Sequence, residues 1–181
     1  DYYLNVRLPM RSEWKEDPRQ VFRSINDLLV DARHKFARQP EATLRTNFYE
    51  PIFKHLGWQV KAGKPSTTDQ IGADYWLTSP TGASLPCLTY VWDRSLDGPD
   101  GKNVDLETPF ENPAQSVVSL LSTGQDAAGW AMVTNGKVWR LYSARAHSRA
   151  TNYYEIDLEE TLASPDVSEA FRYFWLFFRA Q

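Results

Sequence analysis

Apolar residues recur at helical spacing from Val21 and Phe22 through Ile25, Leu28, Leu29 and Ala32 to Phe36. Asp17-Pro18 stands just before them with Gln20 at the third helical position, so a first amphipathic helix is predicted here. A second is predicted from Pro40-Glu41, carrying Leu44, Phe48, Ile52 and Leu56 and ending at Gly57 as a left-handed cap; Pro51 should kink it. From Trp58 the pattern shortens to extended runs over 58–61, 74–79 and 86–93, with Pro80-Thr81-Gly82 as the turn between the last two. The acidic, Gly- and Pro-containing stretch 94–111 reads as a loop. Asn112-Pro113 opens a helix through Val117, Val118, Leu120 and Leu121 that stops at Gly124. Strands over 130–134 and 137–143 flank Asn135-Gly136, a strong hairpin signal, and 153–156 is a further strand. Asp157 with Glu160 caps a short helix, and Ser164-Pro165 opens the last.

Helices, three strands, helix, hairpin, strand and helices in that order predict an α/β fold: a mixed central β-sheet flanked by helices, not a repeating parallel crossover. At 181 residues and 42% hydrophobic the chain has the material for one folded domain spanning 1–181, with 1–16 as an N-terminal extension, and disorder is excluded. The chain opens at Asp1 and closes just after the aromatic run 171–178, whose apolar band is wider than one helical face. That band needs cover either from within the domain or from further chain, and the second alternative makes this domain part of a longer polypeptide.

With 20 Lys+Arg against 23 Asp+Glu the formal charge is -3, so nucleic acid binding requires a local patch. The lone Cys87 makes no internal disulfide or zinc knuckle, and no apolar run approaches the ~20 residues that span a bilayer. The expectation is a soluble, cytoplasmic protein without a membrane partner. His34, His55 and His147 form no i, i+4 metal pair. No Gly-rich phosphate loop joins a strand to a helix. Between Asn135 and Tyr154, Lys137, Arg140, Arg145, His147 and Arg149 are interrupted by no acid. They form a candidate DNA-binding patch, beside the alternative that Arg145 and Arg149 pair with the acidic loop. Arg11, Lys15, Arg19 and Arg23 read as an ordinary solvated face.

Glu41-Ala42-Thr43-Leu44-Arg45, Pro51 and Leu56-Gly57-Trp58 follow an E-A-x-x-R…P…L-G-W pattern. Further on come Gly72-Ala73-Asp74-Tyr75, the hairpin from Trp130-Ala131-Met132-Val133-Thr134 to Trp139-Arg140-Leu141-Tyr142, and Tyr153-Tyr154-Glu155-Ile156-Asp157-Leu158. Together these resemble the N-terminal nuclease-like domains, of the PD-(D/E)xK type, in type IIG restriction–modification enzymes and related phage-defence DNA methyltransferases. The resemblance runs from about 41 to 178 and implies a restriction-endonuclease-like fold. It also implies double-stranded DNA as a partner, together with a methyltransferase region of the same chain or other defence subunits. S-adenosylmethionine would serve that methyltransferase region, and no cofactor is expected for this domain.

In that family carboxylates hold magnesium and a lysine steadies the attacking water. Glu41 and Asp74 match the first two acids, whereas Tyr90 and Trp92 stand where the third-strand Glu and Lys belong. On a regular strand these two aromatics share one face, a replacement of the charged site by rings that cannot do its chemistry. The expectation is therefore a catalytically degenerate module for DNA contact or partner docking. Two alternatives stand beside it. One is an active Mg-dependent endonuclease using Glu41, Asp74 and a relocated third ligand, with Asp93 the candidate for that ligand and Lys61 or Lys64 for the lost lysine. The other is a pure protein-interaction domain. The bland readings are a favourable first-turn acid for Glu41, a strand-start acid for Asp74, and a solvated charge for Glu50 on the opposite helix face.

Overall fold

Asp17 accepts the Arg19 backbone N–H on its carboxylate at 3.1 Å, and α1 (Arg19–Asp31) begins there, burying Ile25 and Leu29. The computed structural model describes residues 2–36, 39–64, 72–123, 129–147 and 151–180; Gly124, Ser148 and Arg149 lie outside them. The second predicted helix is built as α2 (Glu41–Leu44), a π-helical stretch over Arg45–Tyr49, and α3 (Glu50–His55). Pro51 has no N–H to offer the preceding turn, and the expected disturbance takes the form of that π stretch just upstream. Gly57, at φ +87°, ends the helix as expected.

Six strands form one sheet in chain order: β1 (Gln59–Ala62), β2 (Tyr75–Thr78), β3 (Ser84–Thr89), β4 (Trp130–Thr134), β5 (Val138–Ser143) and β6 (Tyr153–Asp157). Neighbours are antiparallel except β3 and β4, whose parallel pairing requires the crossover through the 90–112 loop and α4 (Pro113–Thr123). The sheet is thus mixed and flanked by helices. Alternation along the strands sorts the core into two layers. Tyr75, Leu77, Cys87, Met132 and Trp139 pack toward α1, α3 and the last helices, α5 (Leu158–Ala163) and α6 (Val167–Phe178). Leu88, Tyr90, Ala131, Val133 and Tyr142 pack on the other face with Val117 of α4.

The wide aromatic band of α6 is buried within this domain: Phe171, Phe174 and Phe178 are shielded by Trp139, Phe22 and one another. The stretch ahead of α1 packs there too, with Trp14 edge-on to Tyr173 at 5.1 Å and Glu16 paired with Arg179 at 2.7 Å. Among the described residues no helix is long and apolar enough to cross a membrane.

Candidate functional site

Glu41 lies in the first turn of α2, one α-helical turn ahead of Arg45, and its side chain is buried. Asp74 precedes β2, where Gly63 allows close backbone approach: a Cβ on Gly63 would stand 1.9 Å from the Ala73 carbonyl oxygen. Arg45 joins the two acids, its Nη2 donating to Glu41 Oε1 and to Asp74 Oδ1 at 2.5 Å each. Thr89, the last residue of β3, donates its backbone N–H to Asp74 Oδ2 at 2.7 Å. These groups line an open cleft of about 500 Å³ together with Glu107, Thr108 and Glu111 of the 94–111 loop. A larger cavity of about 680 Å³, beside Trp58, Trp130 and Arg179, shares no residue with this cleft.

Burial pushes the Glu41 carboxyl up to about 7, with Arg45 pulling it down and Asp74 and Glu107 adding to the rise. Burial also raises Asp74, against Arg45 and the Thr89 N–H. A carboxyl with a raised folded-state value favours folding most below its unfolded value near 4.5, and that contribution is lost as pH climbs through about 7. Glu41→Gln keeps an acceptor for Arg45 but removes the titration. Urea denaturation should therefore show the variant gaining about 2 kcal/mol on wild type between about pH 5 and 8. A pH-independent difference would mean that Glu41 does not titrate in this window.

The aromatic pair is not arranged as the regular-strand expectation has it. β3 ends at Thr89, Tyr90 keeps one further bond from its N–H to the Thr134 carbonyl, and the chain then turns through Asp93 at φ +61°. Tyr90 and Trp92 consequently part. Tyr90 joins the α4-side core and donates its hydroxyl to Glu111 Oε1 at 2.6 Å, and burial raises that phenol well above its usual value. Trp92 packs against Phe48 at 5.5 Å on the other side and over Gly136, leaving no room there for a Cβ. The side chain bonded to Asp74 from β3 is thus that of Thr89, which the motif alignment passes over.

Glu50 is not a solvated charge on the opposite face; it lines the cleft and accepts the Tyr75 hydroxyl at 3.4 Å. The π stretch turns less per residue than an α-helix, so α3 arrives rotated from the α-helical expectation. None of the candidate replacements enters the cleft: Asp93 pairs with Lys102 at 2.8 Å, and Lys61 and Lys64 are exposed. Among the described residues no group of three His, Cys, Asp or Glu could hold a metal ion. The residues present do not fit magnesium, because the position between the two acids is taken by a guanidinium.

The basic stretch is largely committed elsewhere. Arg140 is buried, bidentate to Asp97 at 2.7 Å and bonded to Glu155 at 2.6 Å, while Lys137 lies 3.8 Å from Asp157 and 3.6 Å from Glu159. The acidic loop is indeed a partner of this stretch, through Arg140 rather than Arg145. Arg145 and His147 are exposed, and Arg149 lies outside the described residues.

Arg45, Thr89, Glu107 and Glu111 are site residues the sequence reading missed. The i, i+4 spacing of Glu41 and Arg45 is a signal that could have found the first. Nothing local marks Glu107 and Glu111, which only the crossover loop brings to the cleft. In comparison with known proteins, no family model matches the chain, and no curated protein or solved structure matches it.

Proposed function

We propose that this domain is a catalytically degenerate, nuclease-like module that serves partner docking in a restriction–modification or phage-defence methyltransferase. The carrying observation is Arg45 lodged between Glu41 and Asp74, the position the resembled chemistry reserves for a divalent cation. A resident guanidinium, one positive charge shared between the two carboxyls, occupies that position and cannot activate water. Thr89, Tyr90 and Trp92 supply neither a third carboxylate nor an ammonium. S-adenosylmethionine belongs in this reading to the methyltransferase region, and this domain needs no cofactor.

Docking is favoured over DNA contact because Lys137 and Arg140 are already paired with acids, which leaves Arg145 and His147 as the exposed remainder of the described patch. Supercoiled plasmid incubated with the domain and magnesium or manganese should remain uncut. Metal-dependent nicking that disappears in Asp74→Ala would overturn the degenerate reading in favour of an active endonuclease. Tight duplex binding whose affinity falls steeply with salt and with Arg145→Ala would restore DNA contact.

A further inference from the structure

The loop over 94–111 holds two of the most exposed large apolar side chains of the described residues, Leu106 at 88% and Phe110 at 89%. Each is followed by an acid, Glu107 and Glu111, and both acids line the cleft. The loop therefore twice sets an apolar group outward beside a carboxylate turned to the cleft. Its shape is held from within by Arg94 and Asp105, both fully buried, so the two side chains are presented on a fixed frame. Exposed apolar groups on a rigid loop next to a concave site are the usual form of a binding surface.

Charge decides what fits. Glu41, Glu50, Asp74, Glu107 and Glu111 line the cleft against Arg45 alone. Arg45 is engaged by Glu41 and Asp74, and among the described residues Glu107 and Glu111 form no ion pair. The nearby Lys102 is turned to Asp93. A phosphate backbone would be repelled here; a lysine or arginine would be attracted.

We propose that this face docks a protein segment in which basic residues alternate with apolar ones. A Lys or Arg side chain would enter the cleft toward Glu107 and Glu111, and its apolar neighbours would cover Leu106 and Phe110. The inference rests on the docking reading above and names the partner's chemistry.

The test uses fluorescein-labelled 12-residue peptides alternating Lys or Arg with Leu or Phe, and counterparts with Glu in the basic positions, titrated by anisotropy into the folded domain. The basic peptides should bind and shift the amide resonances of 104–111. Leu106→Ser/Phe110→Ser, two changes at exposed positions, should weaken binding about tenfold or more. Glu107→Gln/Glu111→Gln should weaken it comparably and flatten its salt dependence. Four outcomes overturn the inference: no basic peptide binds; the acidic counterparts bind equally; both double variants bind like wild type; or duplex DNA displaces the peptide. Sedimentation showing a dimer that Leu106→Ser/Phe110→Ser dissolves would also overturn it, by assigning the face to a second copy. Plasmid nicking by the same preparation separates the two failures: peptide binding can be absent while the domain stays non-cleaving, and cleavage sinks the degenerate reading whatever the peptides do.

Discussion

Replacing Arg94 with methionine should destabilise the domain by about 3–5 kcal/mol, the scale of removing one partner from a buried ion pair. Arg94 and Asp105 are both at 0% side-chain exposure. The guanidinium donates from Nε to Asp105 Oδ2 at 2.5 Å, from Nη1 to the carbonyls of Ser95 and Gly98, and from Nη2 to those of Thr108 and Glu111 at 2.8 Å each. Its face lies 4.9 Å from the Tyr90 ring centre. Methionine approximates the stem but leaves those acceptors without their donor inside the fold. Asp105 keeps the backbone N–H groups of Glu107 and Thr108, which lessens but does not cancel the cost of its uncompensated charge. The loss should register in global unfolding, because Asn135 of the β4–β5 hairpin donates its side-chain amide to the Arg94 carbonyl at 2.7 Å. A double-mutant cycle with Asp105→Asn, read by urea denaturation, should show strong coupling. A single-variant loss below about 1 kcal/mol would mean that the pair does not organise the loop. Since Glu107 and Glu111 reach the cleft only through this loop, the same variant should also expose the amides of 104–111 to hydrogen exchange.

That loop marks where sequence reasoning runs out. The hairpin was readable because its cause is local: Gly136 takes φ +85°, and the Asn135 side chain accepts the N–H groups of Lys137 and Val138 at 3.0 and 2.7 Å. Helix starts with a local cap were readable for the same reason, as with Asp157 accepting the Glu160 N–H at 2.9 Å. But α6 opens later than Ser164-Pro165: Asp166 caps it by accepting the Glu169 N–H at 3.3 Å, and Ser164 ends α5 instead. Glu41 and Asp74 could be singled out as a pair because the resemblance matches them to that family's first two acids, and Arg45 does join them. The 94–111 stretch looks solvated by composition, and its Arg and Asp count as surface charge until a crossover wraps them into their own small interior. The Tyr90 and Trp92 expectation failed on a related point. Alternation assigns faces only while a strand lasts, and the strand ends one residue before Tyr90. The length of β3 is set by its partners: beyond Thr134 the β4 chain turns into the hairpin, and past Tyr90 the regular parallel ladder gives way to a single bond from the Asp93 N–H to the Asn135 carbonyl at 3.3 Å.

Trp139→Ala should cost about 3–5 kcal/mol, the range for removing a large buried aromatic. The indole is fully buried and meets Tyr49, Phe53, Phe174 and Phe178 edge-to-face at centroid distances of 6.4, 5.9, 5.4 and 5.9 Å. One side chain on β5 thus joins the second helix to α6 across the sheet face. Its Nε1 also donates to the Gly136 carbonyl at 3.1 Å, so alanine removes a hydrogen bond from the hairpin turn together with the ring. Four facing rings cannot close the void by small shifts, which puts the site at the costly end of cavity formation. The effect should reach the cleft. Tyr49 donates its hydroxyl to the Tyr90 carbonyl at 2.5 Å, and a loosened Tyr49 would release the end of β3 beside Thr89 and Asp74. The expected result is a lower urea midpoint together with faster exchange of the Tyr90 amide, which bonds the Thr134 carbonyl at 2.9 Å in the intact domain. Trp139→Phe should recover part of the stability, because it retains an aromatic body while giving up the Nε1 donor. An unchanged Tyr90 exchange rate in a destabilised Trp139→Ala would disconnect the aromatic core from the cleft and leave the two coupled only through global unfolding.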